Sequence, residues 1–511
     1  MKAAFPLLSA LVFAPWLGAA LLFAFRGRLR DTTITALALV ASLSTLALGA
    51  SVLGRFDPAH AGMQLVEKQP WIAALHVNYH LGVDGLGLVL VLLTAILAPV
   101  ALFGTIRRVA DPALYAALFL VLQGSALGVF LALDFVPWFV FWELSLVPAF
   151  FLIKLWGGPG AARAAYQFVL YTIGGSAFML LGFAALYATT GTFDFVELAA
   201  LARDGALAAK LGAVGGLWPR LVFLGVLLGL AVKVPLFPFH TWLPSAYAEA
   251  PTGASMFLTG VMSKMGVYGF LRLLWPLFPA ELHACATPLL WLALGGVVLG
   301  AYAALRQTGL KRMVAYSSIN HLSYCLLALF AVAASGPANP AAATAALSGA
   351  ILQLFNHGLS AAALFYCVGV LENRSGGARG LADFGGVRGA APLFAALCGV
   401  AMFSSLGLPG LNGFVGEFLI FRGVFGLAPW AASIATLGLL ATALFLLTFW
   451  QRVFHGPAAG ATLGKSFRDL DAEELVTLAP LVLLMFVLGL APQLLAGLVN
   501  PLVTAWAATL R

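Results

Sequence analysis

Four charged side chains stand inside long apolar stretches of this chain: Glu143, Lys233, Lys264 and Glu417. Two histidines, His321 and His357, do the same. A charge at bilayer depth costs roughly 3 kcal/mol on insertion scales, and the default reading of such residues is an ion or proton path. The chemistry would be proton exchange. Burial weakens an ammonium's hold on its proton, and a carboxylate nearby restores it. If Glu143 approaches Lys233, the lysine keeps its proton. If Glu143 swings away, the proton can pass to Lys264, then by His321 and His357 to Glu417. Lysine suits this role because its proton affinity shifts on burial, whereas arginine stays charged. Imidazoles titrate near neutrality without perturbation.

Each residue also has a plain structural reading. Glu143 is then a hydrogen-bond partner, Lys233 its counter-ion, and the histidines satisfied core residues. His240, after a proline break, ties up freed carbonyls, and Asp84 and Asp134 cap the helices that follow them.

The elements that must hold these residues are membrane helices. Of 511 residues, 62% are hydrophobic and 9% charged, and the mean hydropathy is +1.01. No water-soluble domain of this size has such a composition. Runs of about 20 apolar residues, each able to cross a hydrocarbon core of about 30 Å, recur at 4–24, 32–53, 82–104, 112–131, 134–155, 165–190, 219–240, 252–276, 286–305, 312–333, 342–371, 391–423, 428–451 and 475–495. This predicts an all-α polytopic membrane protein of about 14 transmembrane helices. The segment 496–511 is short for a span and reads as an interfacial tail. The first run is too long for a signal peptide, and its positive cluster (Arg26, Arg28, Arg30) follows it, so it reads as a retained helix.

Orientation follows from the basic residues. With the N-terminus outside, the inward loops hold sixteen, including Arg107, Arg108, Lys154, Lys311, Arg379 and Lys465; nine, from Lys2 to Arg511, lie outward. Both termini are expected to be periplasmic. The net charge of +8 is thus a topology signal and no indication of nucleic acid. Cys285, Cys325, Cys367 and Cys398 are isolated, with no CxxC for a metal or cluster.

Two spans are interrupted. The seventh carries Pro235 and Pro238; the twelfth reads Leu406-Gly-Leu-Pro-Gly410. Broken helices at the fourth place of two five-helix units point to a repeat, inverted because five is odd. Counting along the helices puts Glu143, Lys264 and His321 about 14–18 Å deep, level with Lys233, His357 and Glu417. They form a row along the membrane plane. No phosphate-binding loop or dinucleotide fingerprint accompanies them, so energy must come from ion exchange or from partner subunits.

Phe141-Trp-Glu-Leu-Ser-Leu-Val-Pro148, Ala231-Val-Lys-Val-Pro-Leu-Phe-Pro-Phe-His-Thr-Trp-Leu-Pro244, Glu249-Ala-Pro-Thr252, Ser263-Lys-Met-Gly-Val-Tyr-Gly269, Asn356-His-Gly-Leu-Ser360 and Gly407-Leu-Pro-Gly-Leu-Asn-Gly-Phe-Val-Gly-Glu417 resemble the antiporter-like membrane subunits of respiratory complex I, most closely the NuoM type. The likeness runs from about residue 80 to 456. It implies one antiporter-like domain over 1–511: helices 1–3 in 1–110, a first repeat in 111–277, an inverted repeat in 286–453, and a last helix and tail in 474–511. It implies a proton path of Glu143, Lys233, Lys264, His321, His357 and Glu417 in a pump driven by NADH:quinone oxidoreduction, in a bacterial inner membrane. The chain itself would hold no cofactor and no metal. NADH, FMN, iron–sulfur clusters and quinone would belong to partner subunits, and L-type and N-type subunits would be its neighbours. The alternatives are a subunit of a multi-subunit Na+/H+ antiporter or of a complex-I-like hydrogenase. Two deep carboxylates are few for a sodium site. One departure stands out: after Pro244 the related chains usually continue Asp, Ala, His, and here Ser245, Ala246 and Tyr247 stand instead.

Overall fold

The computed structural model describes residues 5–336, 339–460 and 467–508. Lys2, Lys465 and Arg511, used above for orientation, lie outside them. The chain opens with α1 (Leu7–Ala24) and α2 (Asp31–Arg55), then a hairpin of β1 (Gln64–Ile72) and β2 (Val77–Val83). Next come α3 (Gly85–Ile106), α4 (Pro112–Leu131), α5 (Phe135–Leu144), α6 (Leu146–Trp156) and α7 (Ala161–Thr190). Short α8 (Phe195–Arg203) and α9 (Ala206–Val214) lead to α10 (Trp218–Lys233) and α11 (Trp242–Glu249). The segments α12 (Thr252–Phe257), α13 (Lys264–Gly269) and α14 (Trp275–Leu277) follow one another through two π-helical stretches, Leu258–Met262 and Phe270–Leu274. Then come α15 (Pro279–Leu305), α16 (Leu310–Ser335), α17 (Pro340–Arg374), β3 (Phe384–Gly385), α18 (Val387–Ala390), α19 (Pro392–Ser405), α20 (Asn412–Leu427), α21 (Pro429–Phe454), β4 (Ala459–Gly460), α22 (Ala472–Leu490) and α23 (Gln493–Ala508).

Among the described residues, 11 spans are long and apolar enough to cross a membrane, with α5 and α6 forming one of them; a twelfth is added if bent α9 and α10 count together. The expected figure of about 14 is reached only by reading three interrupted stretches (α10–α11, α12–α14 and α19–α20) as spans. The interruptions have local causes. Proline cannot donate to a helical ladder and clashes with the preceding turn, and α10 stops two residues before Pro235. Between α19 and α20, Gly407 and Gly410 adopt left-handed backbone, φ +78° and +91°, which glycine alone adopts freely. Of segment 496–511, expected as an interfacial tail, the described residues 496–508 belong to α23. That helix packs so closely on α3 that a methyl group at Gly85 would lie 2.2 Å from the Leu498 carbonyl oxygen.

The core runs along α3, α4, α16 and α17, and the window that qualifies α17 as a span is wholly buried. At one face, hereafter the hairpin face, β1 and β2 bind several helix starts together. Glu67 accepts the Leu8 and Ser9 amides at 2.7 and 3.0 Å, capping α1. Asp84 caps α3 through Gly87 and pairs with Arg272 at 2.6 Å. Asp134 caps α5 and accepts the Asn78 amide at 2.9 Å. Asp194 caps α8 and meets His80 and Lys68, both at 2.8 Å. Burial opposes the Asp194 charge, but His80 and Lys68 outweigh it and hold the carboxyl down at about 2. Asp134, where burial wins, is pushed up to about 6. The opposite face carries loops 107–111, 157–160, 306–309 and 375–391, which hold Arg107, Arg108, Arg306, Arg379 and Arg388; it is the basic face below.

Candidate functional site

Lys233 is the last residue of α10, so its ammonium stands at a helix C-terminus, where aligned carbonyl dipoles favour a cation. The break exists inside the protein because its freed backbone finds partners. The Leu236 amide reaches the Ala231 carbonyl at 2.9 Å, and the Trp242 indole donates to the Val232 carbonyl at 3.0 Å. Thus Trp242, and not His240, takes that carbonyl; His240 stacks on Phe237 at 5.2 Å. The Lys233 Nζ is buried and makes no hydrogen bond. Aromatic faces surround it instead: Trp142 at 5.1 Å and Phe168 at 5.9 Å from the ring centroids. Such contacts stabilise a desolvated cation by about 2 kcal/mol. Glu143, one residue from Trp142, interacts with the Lys233 charge without forming an ion pair, and its Oε1 has no hydrogen-bond partner. Trp142 itself is fixed by Ser176 at 3.0 Å.

Lys264 is held differently. The π-helical turn before it widens the ladder, and its three donors are all used: Thr259 carbonyl at 2.6 Å, Ser263 Oγ at 3.1 Å and His357 Nδ1 at 2.7 Å. The His357 ring lies 5.2 Å from the His321 ring. His321 Nδ1 lies 3.0 Å from Glu417 Oε1. The order through space is therefore Lys264, His357, His321, Glu417, with the histidines reversed from their expected order. The cause is helix packing, since α17 lies between α12–α14 and α20 and brings His357 up to Lys264.

The partners assign the tautomers. His357 Nδ1 faces an ammonium and must accept, so its hydrogen is on Nε2. His321 Nδ1 faces a carboxylate and donates, which leaves a lone pair on Nε2. Both Nε2 atoms are buried and unpartnered. One is a donor without an acceptor and the other an acceptor without a donor, on neighbouring rings.

Gln353, one turn before His357 on α17, went unremarked in the sequence. Its Nε2 donates to Glu417 Oε1 at 3.3 Å. With Asn356, His357 and Ser360 it forms a polar stripe at helical spacing in the buried middle of α17, and that spacing is the signal that marks it. Asn356 and Asn412 exchange amide bonds at 2.7 and 3.2 Å across the α19–α20 break, and Ser404 bonds Asn412 at 2.6 Å. Gly407 lies against the Glu417 carboxylate: a Cβ there would stand 2.7 Å from Oε2.

The six residues thus fall into two groups, Glu143 with Lys233, and Lys264 with His357, His321 and Glu417. No hydrogen bond among the described residues joins Lys233 to Lys264. Val234 lies against Gly266, where a Cβ would meet the Val234 amide at 2.7 Å, so the groups meet through packed backbone. Lys154, at the end of α6, donates to Tyr166 at 3.1 Å over the Phe150 and Tyr166 rings, outside the row. No cluster of metal-ligating residues occurs among the described residues.

The family described as NADH:quinone oxidoreductase/Mrp antiporter, TM, matches residues 132–444, a range that encloses all six residues. An NADH-quinone oxidoreductase subunit M of Rhodobacter capsulatus is 37% identical over 501 residues, covering 97% of this chain and 95% of that protein. One of Mycobacterium tuberculosis is 35% identical, covering 98% and 93%. A chain in the structure of respiratory complex I from Thermus thermophilus with bound NADH superposes with a TM-score of 0.84 at 29% identity, covering 99% of this chain and all of that one. A chain of the Mrp complex from Dietzia shares the fold, with a TM-score of 0.82 at 21% identity, over 99% and 100% of the two chains. On the matched range, the full-length identity and the shared fold, this chain belongs to the NADH:quinone oxidoreductase/Mrp antiporter family of membrane subunits, and within it to the M subunits.

Proposed function

We propose that the chain is a proton-translocating membrane-arm subunit of an NADH:quinone oxidoreductase, with Glu143, Lys233, Lys264, His357, His321 and Glu417 as its proton path. The observation that carries this reading is the contact line from Lys264 to Glu417, with its matched donor and acceptor histidines. Protonation of Glu417 on Oε1 would turn that oxygen into a donor towards His321 Nδ1, so His321 must turn or move its own hydrogen to Nε2. Either change alters what Nε2 offers to His357, and thereby the environment of Lys264. At the other group, movement of Glu143 relative to Lys233 changes how firmly that ammonium holds its proton. The chain does no redox chemistry and holds no cofactor; NADH, FMN, iron–sulfur clusters and quinone belong to partner subunits, and L-type and N-type subunits are its neighbours. It lies in the bacterial plasma membrane with the hairpin face periplasmic and the basic face cytoplasmic, an orientation supported by the excess of arginine and lysine on the latter. The repeats occupy 111–277 and 286–453.

The test is NADH-driven proton uptake by inverted membrane vesicles, with NADH oxidation followed in parallel, for wild type and Lys233→Ala. Collapse of both rates in an assembled complex is the expected result. Unchanged rates would remove Lys233, and with it this reading, from the pump.

A further inference from the structure

Tyr324 stands three residues beyond His321 on α16 and has no part in the row described above. Its side chain is wholly buried. The ring meets the His321 ring at 5.9 Å and the Phe421 ring of α20 at 5.5 Å, both edge to face. A helical side chain leans back towards the helix N-terminus, so the phenol reaches towards the level of Asn320 and His321. A buried tyrosine hydroxyl normally finds a partner. This one has none. It lies beside Asn320 and Thr442, but both are engaged elsewhere. Asn320 donates to the Val297 carbonyl at 2.6 Å, and the Thr442 hydroxyl donates to the Gly438 carbonyl at 2.8 Å.

A phenylalanine would fill the same space against His321 and Phe421 without burying an unpaired hydroxyl, which is costly. Ring packing therefore does not account for the oxygen. The charge that acts on it is the Glu417 carboxylate. Glu417 has acceptor capacity to spare. An ionised carboxylate offers about four lone-pair sites, and its two bonds, from His321 and Gln353, both fall on Oε1.

We propose that Tyr324 is a positioning residue of the row, a second donor that takes the Glu417 carboxylate when His321 lets it go. The inference rests on the function proposed above. In the arrangement of the structure, Glu417 leans on His321 and Gln353. In the other arrangement the carboxylate turns about its own side chain, the phenol donates to it, and His321 is free to rotate. Tyr324 stays a neutral phenol throughout and passes no proton. Without it, the released carboxylate would keep Gln353 alone. The titratable groups that face Glu417 are His321, Tyr324 and Cys325 from α16, with His357 of α17 and Lys264 of α13 behind His321. Arg422 of α20 is exposed, and the charged residues of α21 and α22, Arg452, Glu473 and Glu474, lie at the basic face.

The test follows NADH-driven proton uptake against pH in inverted vesicles that hold the assembled complex, with Lys233→Ala as the reference for the functional reading. Tyr324→Phe keeps the ring and loses the hydroxyl. It should cut uptake about tenfold, the worth of one hydrogen bond to a charged group. Loss of a donor also raises the carboxylate's proton affinity, so the acid limb of the profile should move up by about one pH unit. A ring-fluorinated tyrosine at the same position is the opposite change, a stronger donor of nearly the same shape, and should move that limb down. A tyrosine that serves packing alone predicts wild-type profiles for both. An unmoved limb in an assembled Tyr324→Phe complex overturns the proposal, whatever its uptake. If Tyr324→Phe does not assemble, the fluorinated tyrosine decides alone: a limb moved down supports the proposal and an unmoved one overturns it. If Lys233→Ala pumps normally, the functional reading falls and this inference with it. If Lys233→Ala does not pump while both changes at Tyr324 match wild type, only this inference falls.

Discussion

The two groups of buried charge solve the same problem in opposite ways. Around Lys264 the charged atoms are held by partners: three hydrogen bonds take the ammonium, and Gln353 and His321 hold Glu417. The Lys233 ammonium makes no hydrogen bond and meets only aromatic faces, a helix end and a carboxylate too far to pair. In a low-dielectric interior a hydrogen-bonded charge is fixed by its partners, while a buried charge without them is costly. On the proposed function, the Lys233 group would be the part whose charge state responds to small movements, and the Lys264 group the part that passes the result along.

That contrast can be broken most severely at Lys264. Lys264→Met removes the donor to His357 and leaves the Thr259 carbonyl facing a thioether; proton uptake should fall by about two orders of magnitude, measured in vesicles against complex content. A Lys264→Met complex that pumps normally would end the distinction between the groups. Next in size is the α19–α20 break. Asn412→Ala deletes the side-chain bonds to Asn356 and Ser404 and orphans buried partners, which costs about 1–3 kcal/mol each. The expected outcome is a lower unfolding temperature of the purified complex and a loss of uptake, whereas Ser176→Ala, which frees the Trp142 indole and takes a hydroxyl from Glu143, should cost about 1–2 kcal/mol. Gln353→Leu is smaller and more specific. It removes one donor from Glu417 and leaves His321 in place, so the pH profile of NADH-driven uptake should shift while assembly stays unchanged; an unaltered profile would exclude Gln353 from the row.

The smallest expected effect lies at the hairpin face and has a defined sign. The Asp134 carboxyl is pushed up to about 6 by burial, above the ordinary value near 3.9, so the folded state binds its proton more tightly. This contribution is complete below about pH 4 and fades as pH rises through about 6. Asp134→Asn should flatten the dependence of hydrogen-exchange protection in β1 and β2 over that interval. For Asp194, held down at about 2, the contribution is present above about pH 4 and is lost only as pH falls towards 2.

Most of the fold was legible because lipid imposes it. Apolar runs of fixed length, caps at Asp84 and Asp134, and prolines inside apolar stretches all act locally. Residue types and depths alone put Glu143, Lys233, Lys264, His321, His357 and Glu417 forward as candidates, and the structure buries Lys233, Lys264, His321, His357 and Glu417. Their grouping was not legible, because it depends on which helix lies between which others. The placement of α17 reversed the expected order of the histidines. Gln353 was overlooked because a neutral amide carries no charge penalty to draw attention, and the burial of Lys311 because a lysine near a loop normally reads as a topology marker. That burial depends on Glu372 and Arg379, which are distant in sequence.

The hairpin of β1 and β2 bears on how such a molecule can move. By gripping the starts of α1, α5 and α8 at once, it makes those helices behave like the ribs of a fan riveted at one end. Displacement then grows with distance from the rivet, so the largest swing belongs to the far ends of the ribs, and the smallest to the end where the hairpin sits.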